Sequence, residues 1–161
     1  MSTTEITAEP GTFDLTITRT FDAPRDLVYR AWADPRLLER WLGPHSLSTE
    51  VTTWEIDASG PWRFVSHDAE GTEYGFHGSF HGTSSPENGI TWTNEFEGMP
   101  GHVALEHISF TEVDGRTTMH THSVFQSVAA RDGMVSSGME QGVTEGYEKL
   151  DELLASQQAS V

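Results

Sequence analysis

Residues 103–124 read VALEHISFTEVDGRTTMHTHSV, two alternating runs joined by Asp114-Gly115. An Asp-Gly pair between alternating runs is the strongest short-range hairpin signal, because both central positions of that tight turn need a left-handed backbone. A two-residue turn there fixes the register. Phe110 faces Met119, Ile108 faces Thr121, Glu106 faces Ser123, and His107 faces His122. The side-chain period of two then puts Glu106, Ile108, Phe110, Met119 and Thr121 on one face and the histidines on the other. One face is mostly apolar, which supports this register.

Upstream the same texture continues. Strands are predicted near 47–56, 61–67, 72–82 and 89–97, ahead of 103–113 and 116–127, with Ser59-Gly60-Pro61, 68–71, 84–89 and 98–101 as separators. Residues 13–21 form a seventh alternating run, apolar at Phe13, Leu15, Ile17 and Phe21. Short sequential connections predict an antiparallel meander. Alternation also assigns faces. Trp62 and Phe64 share one, as do Tyr74, Phe76, Gly78 and Phe80 on the next strand, and Ile90, Trp92, Asn94 and Phe96 on the one after.

Between the first two strands, Asp22-Ala23-Pro24 and Asp34-Pro35 are helix starts, followed by Leu27, Val28, Ala31 and Trp32 and then by Leu37, Leu38 and Trp41. Gly43-Pro44 ends the second of these two short helices. Residues 130–155 carry an apolar stripe through Met134, Val135, Met139, Val143, Tyr147, Leu150, Leu153 and Leu154, and are read as one long helix. Gly138, Gly142 and Gly146 form a bare stripe along it. Interior glycines cost about 1 kcal/mol each relative to alanine, so the stripe implies close packing on the sheet or room for a ligand there. Residues 1–12 are expected to be a flexible tail, 13–157 a single domain, and 158–161 a second tail.

Composition limits what such a domain does. The chain of 161 residues has 9 Lys and Arg against 25 Asp and Glu, a net charge of −16, which repels phosphate backbones and anionic lipid and excludes nucleic acid as a partner. There is no cysteine, so thiolate metal sites and cysteine nucleophiles are excluded. No apolar run is long enough for membrane insertion and the N-terminus has no signal-peptide pattern, so the expected location is the cytoplasm.

Of the eight histidines, His77, His81, His107, His120 and His122 fall on the outer face, and no metal or other cofactor is expected. Glu106 is the exception among the acidic residues, since parity places its carboxyl on the aromatic face near Asn94, Thr121 and Ser123. A carboxyl there is a candidate ligand anchor or general acid–base. No nucleophile elbow, phosphate loop, dinucleotide fingerprint or zinc-protease motif occurs, and no catalytic residue is assigned.

Several segments also match a known pattern. They are Phe21-Asp-Ala-Pro-Arg25 with Val28 and Trp32, Asp34-Pro35 with Leu38, Trp41-Leu-Gly-Pro44, Gly60-Pro-Trp-Arg-Phe64, and Gly71-Thr-Glu-Tyr74 with Phe76 and Gly78. Pro86-Glu87, the run from Glu106 to Glu112, and Gly138-Met-Glu-Gln-Gly142 with Tyr147, Leu150, Leu153 and Leu154 complete it. Over roughly residues 13–155 the chain resembles the SRPBCC (START-like, helix-grip) superfamily, and within it the bacterial homologues of the activator of heat-shock protein 90 ATPase. Ser59 departs from the pattern, standing where many relatives have a second glycine.

The resemblance implies an α+β helix-grip fold, a curved seven-stranded antiparallel sheet around a long C-terminal helix, with a cavity between them. The resemblance implies little chemistry; the function read from the aromatic face and the bare helix stripe is binding of a small hydrophobic or aromatic molecule, through Trp62, Phe64, Tyr74, Phe76, Phe80, Trp92, Ile108, Met119, Met139 and Gly142. Asn94, Glu106 and Thr121 would supply the polar contacts. The alternatives are a cyclase- or dehydratase-type enzyme using Glu106 as acid–base, and a chaperone ATPase-activating interaction protein. The expected partner is a small apolar molecule, and a homodimer is left open.

Overall fold

Each alternating run becomes a strand of one sheet. In the computed structural model, which describes residues 3–159, the order is β1 (Glu5–Thr7), β2 (Asp14–Phe21), α1 (Arg25–Ala33), α2 (Pro35–Leu38), β3 (Ser48–Trp54), β4 (Pro61–His67), β5 (Glu73–Ser85), β6 (Gly89–Phe96), β7 (Val103–Val113), β8 (Arg116–Val124), α3 (Val128–Ser136) and α4 (Met139–Ala159). The strands form a single eight-stranded antiparallel sheet in the spatial order β1-β2-β8-β7-β6-β5-β4-β3. Strands β3 to β8 follow one another as a meander, and β2 closes against β8.

The β7–β8 hairpin has the register that Asp114-Gly115 dictates: Phe110 opposite Met119, Ile108 opposite Thr121, His107 opposite His122 and Glu106 opposite Ser123. Both turn residues are left-handed, with φ of 53° and 77°. Ser59 also takes a left-handed φ of 51°, the region that favours glycine, and its hydroxyl donates to the Gly82 carbonyl.

Leu15, Ile17, Phe21, Trp62, Phe80, Ile90, Trp92, Ile108, Phe110 and Met119 fill the inner sheet face, and Tyr147, Leu150, Leu153 and Leu154 of α4 complete the core over it. Trp32 of α1 and Trp41, beyond α2, plug one end. Four buried tryptophans and the half-buried Trp54 call for five acceptors, since a buried indole N–H left unpaired is costly. Each has one. Trp32 donates to Met119 Sδ, Trp41 to the Ala31 carbonyl, Trp54 to the Trp32 carbonyl, Trp62 to the Thr93 carbonyl and Trp92 to Glu106 Oε1.

Three expectations need correction. First, the sheet has eight strands, because residues 5–7 of the expected tail pair with β2, Ile6 opposite Ile17. The segment behind them is fixed by Arg131, which is only 2% exposed. Its Nη1 donates to Thr12 Oγ1 at 3.0 Å and the Asp14 carbonyl at 2.7 Å, and its Nη2 to the Glu9 carbonyl at 2.8 Å.

Second, the C-terminal helix is two helices. Gly138 has φ of 88° and separates α3 from α4, so it is a break and not part of a glycine stripe. Met134 and Val135, on α3, are 40% exposed and do not join the core. Helix α4 also continues past position 157 to Ala159, and of the two expected tails, residues 1, 2, 160 and 161 lie outside the described residues.

Third, Gly142 and Gly146 face the turn after α2 and not the sheet. A Cβ on Gly142 would meet Pro44 Cδ at 3.6 Å, and one on Gly146 the Trp41 carbonyl oxygen at 3.0 Å. Among the described residues no helix is long and apolar enough to cross a membrane.

Candidate functional site

The inner face carries a continuous row of rings. Trp62 stacks on Trp92 with centroids 4.5 Å apart and on Phe64 at 5.6 Å. Phe64 stacks on Phe76 at 5.0 Å, and Phe76 meets Phe96 at 5.0 Å. At the other end Trp32 stands edge-on to Trp92 at 5.6 Å and to Trp41 at 4.9 Å. Trp54 packs edge-on against Trp62, Phe80 and Trp92. The rings of Trp62, Phe64, Phe80 and Trp92 are buried against each other, while Phe76 and Phe96 are half-buried.

Sheet register brings the polar groups to the middle of this face. Glu106 lies between Trp92 on β6 and Ser123 on β8. Its Oε1 accepts from Trp92 Nε1 at 2.9 Å and Asn94 Nδ2 at 3.2 Å, and its Oε2 accepts from Ser123 Oγ at 2.5 Å. Thr121, on the same face of β8, lies beside the hydroxyl of Tyr147 from α4. Burial pushes that hydroxyl well above the ordinary tyrosine range, and the nearby Glu106 charge acts in the same direction. Tyr147 thus stays a neutral phenol that joins α4 to the sheet beside Glu106.

The β5–β6 ladder opens next to this group. The Ser79 amide donates to Thr93 Oγ1 at 3.1 Å, which leaves the Thr93 carbonyl for Trp62 Nε1 at 3.0 Å. Gly78 permits this approach, since a Cβ there would lie 1.8 Å from that carbonyl oxygen.

Of the expected site residues, Trp62, Phe64, Phe76, Phe80, Trp92, Asn94, Glu106, Ile108, Met119 and Thr121 share the inner face. Met139, the first residue of α4, is half-buried against the core. Two stand apart. Gly142 faces Pro44, and Tyr74 lines a groove of about 290 Å³ at the sheet's end with Arg63, Phe96 and Glu97. Trp54, Phe96 and Tyr147 belong to the same constellation and are missing from the expected set. For Phe96 the signal was its parity with Trp92 and Asn94. For Tyr147 no sequence signal separates a core phenol from one that touches the polar group.

An opening does lie beside α4, on the β1–β2 side. It is a cleft of about 880 Å³ lined by Thr3, Thr4, Arg19, Glu148, Asp151 and Leu154 among others, more polar than the cavity the resemblance implies. At its floor Arg19 donates to Thr4 Oγ1 at 2.7 Å and pairs with Asp151 at 2.5 Å.

The outer-face histidines do not converge. His107 Nδ1 meets Thr91 Oγ1 on β6, while His122 Nε2 meets Asp14 and His120 Nδ1 meets Thr18, both on β2. The His107 and His122 rings turn to opposite neighbours, and no metal-ligating group of three or more His, Cys, Asp or Glu forms among the described residues.

Comparison with known proteins agrees with this architecture. The family model described as Activator of Hsp90 ATPase homolog 1-like protein matches residues 22–155. A solution structure of an Arthrobacter aurescens protein superposes with a TM-score of 0.85 at 26% identity, over 94% of this chain and 91% of that one. A crystal structure of a Rhodobacter sphaeroides protein gives 0.85 at 25% identity, over 94% and 99%. A third, from Mycobacterium smegmatis, gives 0.83 at 24% identity, over 93% and 95%. Among proteins of curated function, none matches this sequence.

Proposed function

Because the chain belongs to the family of Activator of Hsp90 ATPase homolog 1-like proteins, we propose that it acts as this fold's ligand-binding form does, holding a small apolar or aromatic molecule between the inner sheet face and α4. The observation that carries the reading is Glu106, a carboxyl on an otherwise apolar face, oriented by Trp92, Asn94 and Ser123. Pockets for small molecules combine apolar walls with a few fixed polar groups, and Glu106, Asn94 and Thr121 are such a set. The apolar walls would be Phe64, Phe76, Trp62, Trp92 and Met139.

Binding is favoured over turnover for a chemical reason. Acid–base catalysis uses pairs of titratable groups whose environments drive their proton affinities apart, one to give and one to take. The hydrogen-bond partners of Glu106 are an indole, an amide and a hydroxyl, none of which exchanges a proton near neutrality.

The test is a thermal-shift screen of flavonoids, sterols, polyketides and arylalkylamines. A ligand of the folded state adds about 2.7 kcal/mol at a hundred times its dissociation constant, a melting shift of roughly 5–10 °C for a chain of this size. Tryptophan emission should change with it, and Trp92→Ala should weaken binding. A screen giving neither shift nor emission change counts against the reading. Stimulation of a heat-shock protein 90 ATPase by the purified chain would favour the activity in the family's description instead.

A further inference from the structure

Glu106 accepts hydrogen bonds on both carboxyl oxygens, all three from neutral donors. Among the described residues no Arg, Lys or His pairs with it. The cations that could have done so are engaged elsewhere: Arg19 with Asp151, Arg63 with Glu97, and Arg131 with the backbone carbonyls of Glu9 and Asp14. Lys149, the single lysine of the chain, donates to the Pro44 carbonyl. Fully buried carboxylates are paired or metal-bound as a rule, since an isolated charge away from water is costly. Glu106 is only half-buried, so part of the residue stays in contact with solvent.

A carboxylate offers about four lone-pair sites. Three are filled here, leaving one acceptor position and an uncompensated negative charge on a face of aromatic rings. The half-buried rings on this side, Phe76 and Phe96, offer apolar surface to the body of a ligand. The net charge of −16 adds a long-range field that draws cations toward the surface and repels anions.

We propose that the ligand is a protonated amine on an aromatic or apolar body, its ammonium N–H donating to Glu106 while its body lies along the Phe64–Phe76–Phe96 rings. This rests on the ligand-binding reading above and sharpens it. The site then selects against carboxylates of the same shape, fatty and aryl acids included, because they would set a second negative charge beside Glu106. Alcohols of the same shape donate one hydrogen bond without the charge and fall between.

Three matched probes separate these cases: 4-biphenylmethylamine, 4-biphenylmethanol and biphenyl-4-carboxylate, titrated into the full chain and read by tryptophan emission. The amine is expected to bind about tenfold more tightly than the alcohol, the difference between a charge-assisted and a neutral hydrogen bond, and the carboxylate more weakly than either. In Glu106→Gln the amine and the alcohol should bind alike. In Ser123→Ala, which keeps the carboxylate, the amine should keep its advantage.

A site-resolved reading comes from the Trp92 indole N–H resonance, whose proton is donated to Glu106 Oε1 and should shift when the amine binds. It also decides the case where Glu106→Gln fails to fold. If amine and alcohol bind equally to the natural chain, the amine inference falls and the ligand-binding reading stands. An amine advantage that disappears at high salt and survives in Glu106→Gln would trace to net charge alone and also overturn it. If none of the three binds, the amine inference falls, and the ligand-binding reading is decided by the wider thermal-shift screen.

Discussion

Gly146 lies against the backbone of Trp41: a Cβ added to the glycine would sit 3.0 Å from the Trp41 carbonyl oxygen, with the Gly43 amide nitrogen at 3.3 Å. One turn earlier Gly142 has only Pro44 Cδ at 3.6 Å, an ordinary contact. Two glycines on one helix face should therefore respond in opposite directions. Gly146→Ala presses on backbone anchored by the fully buried Leu38 and Trp41, and overpacking of that kind costs about 1–3 kcal/mol. Gly142→Ala should gain most of the ~1 kcal/mol of helix propensity. Thermal melting of the two variants checks both signs, and equal shifts would show that the turn yields.

Arg131 should be the most sensitive surface-remote position outside the sheet. It ties α3 to the Glu9–Asp14 segment through charge-assisted bonds to the Glu9 and Asp14 carbonyls, both of which also accept from Thr12 Oγ1. Hydrogen bonds to charged groups contribute about 1.5–3 kcal/mol each, and the carbonyls left behind would be partly buried. Arg131→Met is expected to cost at least 2 kcal/mol, by the same estimate, and to release the N-terminal segment. Limited proteolysis should then cut within residues 5–12 in the variant and not in the natural chain.

The carboxyl of Glu97 is held down to about 2, first by its two hydrogen bonds from the Arg63 guanidinium and then by His77. A carboxyl with a lowered value in the folded state stabilises that state above its ordinary value of 4.5, and the contribution is lost as pH falls from there toward 2. Glu97 is 32% exposed, so screening keeps this below about 1 kcal/mol. Glu97→Gln should be slightly less stable at neutral pH and lose less stability over the acid range, as urea unfolding at a series of pH values would show. Identical acid limbs would mean the pair contributes nothing.

How much of this was legible in the sequence depends on the range of the interaction. The β7–β8 register follows from Asp114-Gly115 and alternation alone, and with it the placement of Glu106 opposite Ser123. Both are set by contacts between near neighbours in the chain. The Glu106 contacts to Trp92 and Asn94 needed only one further strand of meander. The N-terminal strand was not legible: Glu5–Thr7 has a single apolar residue, and the segment behind it is ordered by Arg131, over a hundred positions away. Gly138 read as one of three equivalent glycines because helical spacing is blind to φ, which only the turn between α3 and α4 decides. The direction of Gly142 likewise depended on where the Trp41–Pro44 turn would lie, a matter of packing that periodicity does not carry.

Gly78 is the position where the candidate site and the fold depend on the same atom. It sits opposite Trp62, and its missing side chain lets the Trp62 indole reach across β5 to the Thr93 carbonyl on β6. A Cβ would meet that oxygen at 1.8 Å and the indole nitrogen at 2.9 Å, and the first of these is backbone that cannot rotate aside. Gly78→Ala must therefore push β5 from β6 or turn Trp62 out of its stack with Trp92. The loss of stability is expected at the upper end of overpacking, about 3 kcal/mol, against a gain from alanine in a strand of well under 1 kcal/mol. The melting temperature should fall by roughly 6–12 °C, from ~2–4 °C per kcal/mol, and the tryptophan emission of the folded variant should shift as Trp62 leaves its acceptor. A variant that melts like the natural chain with unchanged emission would show that β5 and β6 separate without strain at this point, and that the gap in their ladder is not held open by the tryptophan.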